Sequence, residues 1–133
     1  MEARFVRPGI ELGLISLYDI KYGNKNPTHK CEGGNFPSIS GGSKISKYTD
    51  EWNIPENTIL IARSGSCGSV NMFPEKCLCG SYGFFLDIKK QDINNDYIYY
   101  YLKSHQKDLE DLGKGQTVQN LNRDRLYNYK VLY

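Results

Sequence analysis

The sequence has no apolar run approaching the roughly 18 residues that a membrane span requires, and its opening, MEARFVRPGIELG, lacks the apolar stretch of a signal peptide. No membrane partner is expected, and a cytoplasmic location is. Cysteine is scarce. Cys31, Cys67, Cys77 and Cys79 stand 36, 10 and 2 residues apart, a spacing that matches no common zinc pattern. In a reducing compartment they are expected as free, partly buried thiols. Histidine is scarcer still. His29 and His105 have no evident partners in the sequence, and a nucleophile needs a base beside it. The expectation is therefore no catalytic residue, no metal and no cofactor. A small thiol- or metal-dependent enzyme built on Cys77, Cys79 and His29 is the weaker alternative.

A phosphate-binding P-loop is also missing. Arg63-Ser64-Gly65-Ser66-Cys67-Gly68-Ser69 is rich in small residues, which let backbone N–H groups approach an anion. The lysine and Ser/Thr of a P-loop do not follow, and Val70-Asn71-Met72 is strand-like where a helix should begin. Two readings stay open: a tight β-turn, or a turn that also presents Arg63 and Ser64 to a ligand.

What is present describes one folded domain, residues 1–133. The 133 residues include 39% hydrophobic and 13% aromatic side chains, with 13 Gly and 5 Pro spread along the chain. A chain this long buries roughly two thirds of its unfolded surface, enough for one core. Net charge is only +2, but it is unevenly distributed. Between Lys21 and Lys47 there are five lysines against Glu32 alone, and between Gly113 and Lys130 the excess is three positive charges. Patches of this kind suit phosphate contacts, or are simply solvated surface.

The first half reads as short strands and loops. Leu14–Tyr22 nearly alternates apolar residues and breaks at Gly23-Asn24-Lys25-Asn26-Pro27; Phe36–Ser40 is a second short strand. Thr58–Ala62 is a β-branched apolar run between Pro55 and Gly65, which predicts a buried strand, and Val70–Phe73 and Gly83–Ile88 add two more. The second half changes period. After a capping Asn94-Asn95-Asp96, apolar residues and His105 fall on one face from Ile98 to Leu112, which predicts one long helix ending at Gly113. A loop, Lys114–Asn120, leads to a short helix at Asn122–Leu126 and a closing strand at Tyr129–Tyr133. Tyr97, Tyr99, Tyr100 and Tyr101 are too close in sequence for more than two to share a helix face, so packing or a partner interface is expected for them rather than base stacking. Trp52 reads as core or as a lid over it.

Taken in order, these pieces resemble the target recognition domains of type I restriction-modification DNA specificity subunits. The resemblance rests on Leu17-Tyr18-Asp19-Ile20 leading to Gly23 and Pro27, and on Phe36-Pro37-Ser38-Ile39. It continues through Ile59–Gly68, the tyrosine-bearing helix start at Asn95–Leu102, and Gly113–Leu121 before a final strand, so that it covers about residues 14–132. It implies an α+β fold, a twisted, partly barrel-like β region followed by a helical segment. It also implies recognition of one half of a bipartite double-stranded DNA site, without catalysis of its own. The implied partners are a DNA adenine methyltransferase subunit, in some systems a restriction subunit, and a homodimeric copy or second recognition half. The family's long helical spacer and second recognition domain are absent from this sequence. The alternative is a protein-interaction module that keeps this fold and docks a methyltransferase.

Loop position and charge select the DNA-contact candidates: Lys25, Asn26, Lys44, Lys47, Arg63 and Ser64 in the first half, and Lys114, Gln116, Gln119, Arg123 and Arg125 in the second. Lysine and arginine neutralise phosphate or pair with guanine, while Asn and Gln pair with adenine through two hydrogen bonds.

Overall fold

A computed structural model describes residues 9–24, 32–40, 44–63, 66–114 and 121–133. The fold is α+β and is organised around a four-stranded antiparallel sheet. Its strands are β2 (Tyr18–Tyr22), β5 (Ile59–Ala62), β6 (Val70–Met72) and β8 (Gly83–Ile88), arranged in the order β2-β8-β5-β6. Two smaller sheets flank it. Strands β3 (Glu32–Ser40), β4 (Lys44–Thr49) and β7 (Leu78–Cys79) form a three-stranded sheet in the order β4-β3-β7, and β1 (Glu11–Gly13) pairs antiparallel with β9 (Lys130–Leu132). The described strands close no barrel.

The central sheet is buried on both sides, and alternation along its strands explains how. Tyr18 and Ile20, Phe84 and Leu86, and Ile59 and Ile61 point to one face. There they pack with Leu14 and Leu17, Ile98 and Leu102 of α1 (Asn95–Ser104), Leu109 of α2 (Gln106–Leu112) and Leu126 of α3 (Arg123–Tyr127). Leu60 and Phe85 point the other way, into a second cluster with Ile39, Ile54, Cys77 and Cys79 from the three-stranded sheet side. All four β5 residues are fully buried, which is why that segment reads as an unbroken apolar run.

The expected strand from Leu14 begins later. Leu14–Ser16 is a 3-10 turn, and only Tyr18–Tyr22 pairs with β8. The expected single helix is two. Asn94 caps α1 by accepting the Tyr97 N–H at 3.0 Å, but the helix breaks at His105, whose backbone sits at φ −112° and ψ 24°. The break lets both halves grip the edge strand β6. Lys103 Nζ donates to the Val70 carbonyl at 2.7 Å, and the Val70 N–H donates to Gln106 Oε1 at 2.9 Å. His105 stacks on Tyr101, with ring centroids 4.2 Å apart. Of the helix tyrosines, Tyr99 and Tyr101 pack against the core, whereas Tyr97 and Tyr100 are exposed. Trp52 is 43% exposed with the Lys76 ammonium 4.4 Å from its ring, so it is neither core nor lid.

Gly68 has a steric reason. It sits at φ +89° in the turn between β5 and β6, and a Cβ there would stand 2.5 Å from the Glu110 backbone nitrogen of α2. Gly68→Ala therefore combines a left-handed backbone penalty with displacement of α2. Thermal melting should show a loss of at least 1–3 kcal/mol, roughly several degrees. An unchanged midpoint would mean that this turn does not press on α2.

Candidate nucleic-acid interface

Two of the predicted contact residues, 60 positions apart in sequence, meet at one end of the central sheet. Tyr22 is the last residue of β2, directly opposite Phe84 of β8, and Phe84 is in turn opposite Ile61 of β5. The Tyr22 ring packs on buried Phe84 with centroids 5.1 Å apart. Arg63 lies two residues beyond Ile61 and so leaves the chain toward the same face. Its guanidinium carbon is 5.2 Å from the Tyr22 ring centroid. Arg123 approaches from α3, with its guanidinium carbon 4.7 Å from the same centroid.

The match between helix and strand spacing brings Arg123 there. Asn122 caps α3, accepting the Asp124 N–H at 2.8 Å. Four residues along the helix, Tyr127 receives the Ile20 N–H on its hydroxyl at 2.9 Å. Four helical residues rise about 6 Å and two strand residues about 6.8 Å. A helix fixed at Ile20 through Tyr127 thus delivers Arg123, one turn back, to Tyr22.

Each guanidinium is held but not neutralised. Arg63 Nε donates to the Ser81 carbonyl at 2.9 Å, and its two Nη groups make no hydrogen bond among the described residues. Arg123 Nη1 lies 3.5 Å from the Ile20 carbonyl. Among the described residues neither arginine is paired with a carboxylate, whereas Lys21, Lys90 and Lys114 are paired with Asp87, Asp92 and Asp111. Those acids raise the pKa of the three lysines chiefly through a hydrogen bond to the ammonium. Tyr22, Arg63 and Arg123 are all partly accessible, and the neighbouring Tyr82 is 57% exposed. The opposite end of the sheet differs in sign. A cleft of about 200 Å³ there is lined by Pro55, Glu56, Asn57, Phe85, Asp87 and Asn95, with Asp87 paired to Lys21 and Glu56 adding negative charge.

The other candidates divide. Lys25, Asn26, Ser64, Gln116 and Gln119 lie outside the described residues, yet one described flank of each segment lies at this rim. Tyr22 and Gly23 precede the first segment, Arg63 precedes the second, and Leu121, which ends the third, donates its N–H to the Arg63 carbonyl at 2.8 Å. Lys114 stands at the end of α2 in its exposed pair with Asp111. Arg125 donates Nη1 to the Leu112 carbonyl at 2.9 Å and so closes the C-terminus of α2, a structural role. Lys44 and Lys47 belong to β4, an edge strand of the three-stranded sheet and not of the central sheet, at whose end the arginine pair lies. Sequence reasoning missed Tyr22 and the Ser81-Tyr82 turn. Tyr22 continues the Tyr18, Ile20 alternation, which marks it as a core aromatic and hides its place at the rim.

Cys67, Cys77 and Cys79 are free and buried. Burial pushes the Cys77 thiol up to about 12, with Cys79 adding to the effect, and pushes Cys79 up to about 11. These thiols are the reverse of activated, because nucleophilicity belongs to the thiolate. Among the described residues, no three of His, Cys, Asp or Glu come together as a metal would need. Iodoacetamide at pH 8 should leave these three cysteines unmodified in the folded chain and label all of them in denaturant, as read by mass spectrometry. Rapid labelling of Cys77 or Cys79 without denaturant would contradict this burial.

Solved structures similar to this chain include subunits of type I restriction-modification systems. The S subunit of a type I restriction-modification system from Mycoplasma genitalium superimposes on the whole chain with a TM-score of 0.87 at 27% identity, over 36% of its own length. The HsdS subunit from Thermoanaerobacter tengcongensis does so over 98% of this chain, with a TM-score of 0.65 at 18% identity and 34% of its length; at that identity the likeness is one of fold. A curated Mycoplasma genitalium protein named as a type I specificity subunit is 33% identical over 108 residues, which is 80% of this chain and 28% of that protein. The family model described as "Type I restriction modification DNA specificity domain" matches residues 14–133. The chain belongs to this family. It spans about a third of the length of the relatives it matches.

Proposed function

We propose that this domain reads one half of a bipartite site in double-stranded DNA, on behalf of a DNA adenine methyltransferase and, where present, a restriction subunit. A homodimeric copy or a second recognition domain would read the other half. The observation that carries this reading is the pair of guanidiniums, Arg63 and Arg123, on one tyrosine ring, neither paired with a carboxylate among the described residues. Family membership supplies the context. In this reading Arg63 is the base reader, because Ser81 holds its Nε and the Nη pair has no hydrogen bond among the described residues. Two such donors match guanine O6 and N7. Arg123, more loosely held, suits a phosphate, where charge matters more than angle. The polar loop residues Gln116, Gln119 and Asn26 would add readout of adenine.

The test is selection from a randomised duplex library at low and physiological salt. Enrichment of a short motif that survives added salt is expected, and the motif is the half-site. Arg63→Ala should then cost roughly 1–3 kcal/mol and relax one position of the motif. Arg123→Ala should weaken binding to all sequences and reduce the slope of log affinity against log salt by about one. Salt-sensitive binding with no motif, alongside tight binding to a methyltransferase, would favour a protein-interaction module instead. Single substitutions of Arg63, Gln116 and Arg123 that all left affinity unchanged would place the DNA-binding surface elsewhere.

A further inference from the structure

Two positive guanidiniums converge on Tyr22, and neither is paired with a carboxylate among the described residues, an arrangement that repulsion alone would open. The ring supplies the attraction, since the electron-rich face of a tyrosine draws cations. The ring is itself fixed. Tyr22 sits in register opposite Phe84, packs on that buried side chain, and is followed by a Gly23 N–H donated to the Gly83 carbonyl at 2.9 Å. Gly23 allows this closeness, because a Cβ there would overlap the Gly80 carbonyl. No hydrogen bond involves the Tyr22 hydroxyl among the described residues, so the ring and not its oxygen does the holding.

From this we infer that Tyr22 is a positioning residue for DNA recognition, one that holds Arg63 and Arg123 side by side and orients them toward one strand. The inference rests on the DNA-reading function proposed above, which could stand without it. Unattached, the two side chains would spread over many rotamers and lose that freedom again on binding. Held against one ring, they meet the nucleic acid with less entropy left to lose.

The experiment is a mutant cycle on the chain, read by fluorescence anisotropy with a labelled duplex whose core is randomised, and accompanied by thermal melts. Tyr22→Phe keeps the ring and should bind within about twofold of the parent. Tyr22→Leu should weaken binding roughly five- to tenfold, the effect of losing two cation–ring contacts. In an Arg63→Ala/Arg123→Ala background, the same Tyr22→Leu change should shift affinity less than about twofold, because no guanidinium remains to be positioned. A merely structural role for the ring would be felt in both backgrounds, so an equal loss in each overturns the inference even where the melting point falls. Weakened binding in the arginine double variant with none in Tyr22→Leu also overturns it, and leaves the DNA-reading function standing. Parent-like binding by the arginine double variant removes both.

Discussion

Burial of the central sheet on both faces is the constraint from which the rest of the molecule follows. Ile59 and Ile61 belong to one core and Leu60 to another, so a one-residue slip of β5 would exchange the contents of the two layers. The sheet cannot slide, and its ends cannot either. Tyr22, Arg63 and the Ser81-Tyr82 turn are therefore fixed points at one end of a rigid slab, and α3 is registered against that slab through Tyr127 and Ile20. A surface that must present side chains at repeatable positions gains from such support, because recognition chemistry tolerates little play in where a donor points.

Charge on this molecule is organised by pairing more than by amount. A net charge of +2 is small for a nucleic-acid binder. Three described lysines spend their charge on nearby aspartates, in exposed pairs of little energetic weight. Among the described residues the two arginines at the rim have no such partner. Two guanidiniums without an ion pair among the described residues contribute full charge there, a distinction that a sum over the sequence erases.

Much of the fold was legible because its strongest signals are local. The β-branched run at Thr58–Ala62, the Gly83–Ile88 strand, the Asn94 cap and the Asn122–Leu126 helix each state their structure within a few residues, and all appear within a residue or two of where the pattern puts them. What escaped was short or depended on distant partners. Strand β1 has three residues and exists because β9 is beside it; β7 has two; β4, reading Lys-Ile-Ser-Lys-Tyr-Thr, is polar enough to pass for loop. The helix break at His105 leaves the apolar period intact, since Leu109 still reaches the core, so no change in pattern announces it. The site was legible in part for the same reason. Arg63 and Arg123 stand out as loop charges, but their meeting on Tyr22 is a property of the sheet register and the docking of α3.

The pairing of β1 with β9 places Glu11 opposite Leu132, so the described chain enters and leaves through a single two-stranded doorway. Between those strands lies the whole of both cores and the cationic rim. A unit with adjoining ends can be lifted from one polypeptide and set into another while the flanking segments keep their separation. Under the proposed function, this makes specificity a transferable part: recombination between genes could exchange what is read without disturbing whatever scaffold carries the reader.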